Sequence, residues 1–129
     1  VDLTTKGPSF AAFWQERHLA TLSTSRPGTS PHVVPVGVTL DLPTGTARVI
    51  TSATSHKARL IAATPGLPVS LCQVDGRHWS TLEGRAVVRT DPESVSDAEH
   101  RYTIRYKPPR PNPTRVVLEI EVNRVLGNV

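Results

Sequence analysis

The sequence has a single cysteine, Cys72, among 129 residues. No disulfide can form within the chain, so the fold has to rest on packing alone. A lone thiol also fits a reducing compartment, and the expected location is the cytoplasm. No run of about 18 apolar residues occurs, so no membrane-spanning helix is expected. The opening residues VDLTTKGPSF lack the apolar core of a signal peptide. Aromatic residues are scarce, at 5%, so the core is expected to consist of Val, Leu, Ile and Ala. The same scarcity argues against a basic barrel that binds single-stranded nucleic acid, a mode that needs stacking platforms on exposed strands. Familiar catalytic motifs are missing as well. Without HExxH or CxxC no zinc site is expected. There is no Walker-type loop, the absence of GxGxxG excludes a Rossmann dinucleotide site at motif level, and no GxSxG marks a hydrolase elbow. The histidines His18, His32, His56, His78 and His100 fall one to an element, without the spacing of a metal cluster.

What is present describes one domain over residues 1–129, long enough to bury a real core. The net charge of +4 points to an anionic partner, or simply to a basic, soluble surface. PSFAAFWQERH (8–18) reads as a short helix with Ser9 as its cap and Phe10, Phe13 and Trp14 on one side. LATLSTS (19–25) is a strand and RPGTSP (26–31) a turn. HVVPVGVTLDL (32–42) alternates as one strand, with Val34, Val36, Val38 and Leu40 on one face and Val33, Pro35, Gly37 and Thr39 on the other. After the turn PTGT, ARVITS (47–52) pairs back. LPVSLCQV (67–74) and WSTLEGRAVVRT (79–90) form a second hairpin. Asp91 caps a helix that opens with Pro92 and sets Val95, Ala98, Tyr102 and Tyr106 on one side. KPPRPNP (107–113) is a stiff connection. TRVVLEIEVNRVLG (114–127) alternates with Val116, Leu118, Ile120 and Val122 inward and Glu119, Glu121 and Asn123 outward. Six strands joined mostly by hairpins, with three short helices, predict an antiparallel sheet closed into a small β-barrel with helices at its openings.

Chemistry concentrates in TSATSHKARL (51–60). Ser55 is an N-cap for a helix over Ala58, Leu60, Ile61 and Ala62, which puts His56, Lys57 and Arg59 in its first turn. A helix N-terminus already carries about half a positive charge, and no acid lies between Gly45 and Pro65. A bound anion would resolve that conflict; the alternative is that Lys57 points into water. In VPVGV (34–38), Pro35 cannot donate to a ladder and Gly37 has no side chain. A flat ligand can lie against such backbone, and an edge strand with a kink would use the same residues. Trp79, after a tight turn, either stacks on an aromatic ligand or packs in the core. Arg110, Asn112 and Arg115, on or beside the stiff connection, are placed to grip carboxylates or phosphates, or serve only solubility.

Taken in order, a strand, the TSxxSxKA helix, QVDGRHWSTLEGRA (73–86), a helix and RYKPPRPNPTRVVLEIEVNRVLG (105–127) resemble the flavin/deazaflavin oxidoreductases of the pyridoxamine-phosphate-oxidase-like split β-barrel superfamily. ERHLATLST (16–24) and SPHVVPVG (30–37) extend the likeness to the actinobacterial biliverdin reductases that use the deazaflavin coenzyme F-420. Many split barrels carry the KA helix; QVDG…W…LEGRA followed by RPNPTRVV is the specific part. The resemblance implies a six-stranded split β-barrel and a homodimer with two cofactor sites at the subunit interface. It implies coenzyme F-420 as cofactor, with FMN the alternative on the same fold. Lys57 would meet the cofactor phosphate, with Ser52, Ser55 and Arg59 nearby. Some relatives carry a second basic residue where Ser55 stands. The ring would lie along Val34–Val38, against Pro35, Val36 and Gly37, with Trp79 beside it. The implied reaction is hydride transfer from reduced deazaflavin to a conjugated acceptor, biliverdin giving bilirubin, with Arg110, Asn112 and Arg115 toward the substrate propionates. A protein that holds the cofactor or a tetrapyrrole without turnover would share these features.

Overall fold

The computed structural model covers residues 1–129. After a 3₁₀ turn (Thr4–Lys6) come α1 (Pro8–Gln15), β1 (Ala20–Thr24), β2 (His32–Val36), β3 (Thr39–Asp41) and β4 (Thr46–Ser52). Then follow α2 (His56–Ala63), β5 (Leu67–Asp75), β6 (His78–Arg89), α3 (Pro92–Arg105) and β7 (Arg115–Gly127). The strands form one antiparallel sheet in the order β2-β1-β5-β6-β7-β4-β3. Its two edge strands, β2 and β3, are joined by only Gly37 and Val38. That link reaches at most about 11 Å, whereas seven flat strands would span about 29 Å. The sheet therefore curls until its edges approach, leaving a half-barrel with an unpaired seam.

The seam corrects one expectation. Residues 32–42 are not a single strand, and the sheet has seven strands rather than six. At the break the backbone exchanges sheet partners for α3. The Val38 N–H donates to Tyr106 Oη at 3.1 Å, and the Val38 carbonyl accepts from Arg105 Nη1 at 2.7 Å. A Cβ on Gly37 would stand 2.8 Å from the Tyr102 ring, so glycine is what lets the crossover lie this close to the helix. The apolar alternation continues across the break, with Val36 and Val38 both buried, which is why the sequence reads as one strand.

α1 is shorter than expected and is not capped by Ser9: its N-cap is Gly7, without a side-chain cap bond, and Pro8 opens it. Its Phe10, Phe13 and Trp14 are buried, as the spacing predicts. The other two caps form as expected. Ser55 Oγ accepts from the Ala58 N–H at 3.3 Å and Asp91 Oδ2 from the Ser94 N–H at 3.0 Å. Val116, Leu118, Ile120 and Val122 of β7 face a core that also holds Leu22, Val49, Leu71 and Leu82. No helix is long and apolar enough to cross a membrane.

Candidate functional site

A hollow of about 580 Å³ opens where the β2–β3 crossover, the end of β4, the first turn of α2 and the proline-rich connection meet. One wall is backbone, from Pro35 to Gly37. Thr51, Ser52 and Lys57 line it from β4 and α2, Lys107 to Arg110 from the connection, and Tyr102 from α3. Lys57, Ser52, Pro35, Val36, Gly37, Arg110, Asn112 and Arg115 thus line one hollow.

The charge around it is one-sided. Lys57, Lys107, Arg110 and Arg115 line the hollow, and no acid does. Arg115 is already matched: its Nη1 donates to Glu99 Oε2 at 2.6 Å and its Nη2 to the Arg110 carbonyl at 2.7 Å. Asn112 is committed too. Its Nδ2 donates to Ser52 Oγ at 2.9 Å, and its Oδ1 accepts from the Thr114 N–H at 3.0 Å and from Thr114 Oγ1 at 2.9 Å. These two residues brace the connection against β4 and α3. Lys57, Lys107 and Arg110 form no ion pair within the chain. Lys57 is half-buried, and burial holds its amine below the ordinary lysine pKa. An anion seated here would restore what burial removes.

Three expected site residues stand apart. Ser55 spends its hydroxyl on the cap and on a 3.1 Å bond with Thr51 Oγ1, and Arg59 is exposed outside the hollow. Trp79 lies opposite Val74 near the start of β6, next to the pair Ser80–Gly127 at the far end of β7. Arg115 opens β7 at the hollow, so along the strand Trp79 is about 40 Å away. One chain does not bring Trp79 and Lys57 to the same ligand.

The fold also gathers histidines that the sequence scatters. His32 and His56 lie with ring centroids 4.9 Å apart. Desolvation, then the charges of His56, Arg26 and Lys57, lower the His32 pKa. His18 meets Glu16 and Asp75 at 3.7 and 3.6 Å. Their donor atoms lie within 4.8 Å of one another, with His18 partly buried and the two acids exposed. Sequence reading missed Tyr102, Lys107 and Arg105. Lys107 opens the same cationic connection as Arg110 and was legible there; Arg105 reads as an ordinary solvated residue of a last helical turn.

A family model for pyridoxamine 5'-phosphate oxidase matches residues 7–128. The chain belongs to this family. The lining of its hollow, with Lys57, Lys107 and Arg110 free of ion pairs and no acid among them, would suit a phosphorylated cofactor. The chain is 56% identical over 117 residues to the F420H(2)-dependent biliverdin reductase of Mycobacterium tuberculosis (strain CDC 1551 / Oshkosh), covering 91% of this chain and 84% of that protein. Among solved structures, a conserved hypothetical protein of Mycobacterium tuberculosis superposes with a TM-score of 0.77 at 23% identity, over 92% of this chain and 81% of its own. An F420 reductase gives 0.73 at 19% identity, over 93% and 98%. These two share the fold of the family member described here.

Proposed function

We propose that the protein is a coenzyme F-420-dependent reductase that transfers a hydride to biliverdin, giving bilirubin. The 56% identity across 91% of the chain to an F420H(2)-dependent biliverdin reductase carries the reading. The hollow agrees with it. Lys57 would hold the coenzyme phosphate together with the Ser52 hydroxyl, whose proton is free because its oxygen accepts from Asn112. The tricyclic ring would find room at Pro35–Gly37, where Pro35 presents no N–H and Gly37 no side chain. FMN also carries a phosphate on its side chain, so Lys57 alone does not choose between the two; identity favours F-420. When bound, reduced F-420 supplies the hydride. The chain's own residues fix the ring, exclude water from one face, and bring the acceptor carbon to about 3–3.5 Å from the donor. No carboxylic acid or imidazole lines the hollow, so the proton that accompanies the hydride would come from solvent, from Lys57 or Lys107, or from the Tyr102 phenol.

Mixing the protein anaerobically with reduced F-420 and biliverdin should consume both and yield bilirubin one for one. If F-420 binds and biliverdin survives, or if only FMN binds, the reading fails.

A homodimer completes the site. Trp79, 40% exposed, and Val74, 62% exposed, are cross-strand neighbours, and Val33, 55% exposed, lies on the same outer sheet face. Apolar side chains so placed need a cover, and a second copy would carry Trp79 to the partner's hollow. Complementation tests this. Lys57→Met and Trp79→Ala should each be impaired alone. Mixed after subunit exchange, they should regain roughly a quarter of wild-type activity, because half the dimers are mixed and each has one complete site. No recovery would place Trp79 outside the site.

A further inference from the structure

Beside the Lys57 hollow lies a smaller one of about 250 Å³. The two share Tyr102 and Lys107. Three features of the smaller hollow point to a ligand. It is lined by aromatic and apolar groups: the Tyr102 and Tyr106 rings have centroids 4.9 Å apart and are tilted by 33°, and Leu19 beside them is 63% exposed. The Tyr106 ring is fixed, because its hydroxyl donates to the His18 carbonyl at 2.6 Å and accepts from the Val38 N–H at 3.1 Å. The rim carries Arg17 and Lys107, both exposed and neither in an ion pair. The acids nearest this rim, Glu16 and Asp75, face the His18 imidazole instead.

An aromatic and apolar lining with two free cations at its edge suits a flat, conjugated molecule that bears carboxylates. A hollow of this volume takes only part of a drug-sized ligand. Such a molecule would rest its carboxylate end here and extend over Tyr102 into the larger hollow. There it would meet a ring laid along β2.

We infer that Leu19, Tyr102 and Tyr106 form an acceptor subsite, and that Arg17 and Lys107 bind the two propionates of the tetrapyrrole. The inference rests on the function proposed above and adds where the acceptor lies and which groups recognise it. It also moves propionate recognition away from Asn112 and Arg115, whose polar groups are already engaged.

Biliverdin and its dimethyl ester separate charge recognition from shape. At saturating reduced F-420, Arg17→Gln should raise the KM for biliverdin about three- to fivefold, the range of a single exposed ion pair, with kcat within twofold. The KM for the ester should not move. Arg17 does not line the coenzyme hollow, so F-420 affinity, read by its fluorescence, should be that of wild type. Arg17→Gln/Lys107→Gln should abolish the preference of wild type for acid over ester. Equal effects on acid and ester, or no effect on either, would overturn the subsite. Absorbance titration with biliverdin in the absence of F-420 gives a readout independent of turnover. There too the preference for the free acid should shrink in Arg17→Gln and vanish in Arg17→Gln/Lys107→Gln, and its full retention in the double variant would refute the assignment. Tight, Arg17-dependent biliverdin binding without reduction would instead sink the reductase reading and leave the subsite standing.

Discussion

Replacing Lys57 by methionine should weaken coenzyme F-420 binding by about 10- to 100-fold, the range of one hydrogen bond to a charged group, and leave the protein folded. The amine is half-buried and without an acid partner, and burial lowers its pKa from the ordinary 10.5. For a lysine this sign means that the charged form is disfavoured in the folded state. The penalty is fully present while both states are protonated. It disappears as pH rises through the folded and then the unfolded pKa. Methionine, of similar length and uncharged, removes the penalty, so the free variant should melt no lower than wild type at neutral pH. A bound phosphate reverses the sign by favouring the ammonium. Affinity should therefore be full at neutral pH and fall as pH rises past the lowered pKa of the free protein, and Lys57→Met should lack that alkaline fall. Fluorescence titrations of F-420 between pH 7 and 10 measure both effects. Affinity within twofold of wild type at neutral pH would mean that the phosphate sits elsewhere.

Much of the site is legible in the sequence because its parts are local. Ser55 caps α2 and thereby sets Lys57 in the first turn, with no acid near to neutralise it. The proline-rich connection declares its stiffness and its charge together. What is hidden comes from contacts between distant segments. The break at Gly37–Val38 leaves no mark in the hydrophobic pattern, because Val36 and Val38 are both buried on either side of it. Only α3, some 65 residues later, ends the strand by taking over its hydrogen bonds. Sequence spacing likewise treats Arg110, Asn112 and Arg115 as equals. The fold commits Asn112 and Arg115 to bracing and leaves Arg110 and Lys107 free. Trp79 stays partly exposed, so the core-packing alternative does not hold, and its spacing within one chain says nothing of what covers it.

Arg105 is the residue whose loss should cost the fold most. Its guanidinium is 9% exposed and has no carboxylate partner. It donates to the Glu16 carbonyl through Nε and Nη2, at 2.9 and 2.7 Å, and to the Val38 carbonyl and Gln73 Oε1, each at 2.7 Å. Gln73 Nε2 in turn donates to the Phe13 carbonyl at 2.7 Å. One side chain thus joins the end of α1, the edge crossover and β5. Two effects oppose each other in Arg105→Leu. An apolar side chain relieves a buried charge, which by itself can stabilise. It also leaves two buried acceptors, the Val38 carbonyl and Gln73 Oε1, and the part-buried Glu16 carbonyl short of a donor, at about 1–3 kcal/mol for each buried group. The acceptors should dominate, because the guanidinium's own desolvation is already offset by four hydrogen bonds and by the rings of Trp14 and Tyr106, 5.9 and 5.2 Å from its centre. The expected loss is about 3–5 kcal/mol, or roughly 11–18 °C in Tm for a chain of this size. Gln73→Leu should be partly redundant with it, since the two share a bond, and the double variant should be less destabilised than the sum. Where Arg105→Leu remains folded, F-420 affinity should still fall, because the Gly37–Val38 wall has lost the donor that holds it. A Tm within about 3 °C of wild type would show that leucine packing compensates for the lost donors and that the crossover stands without Arg105.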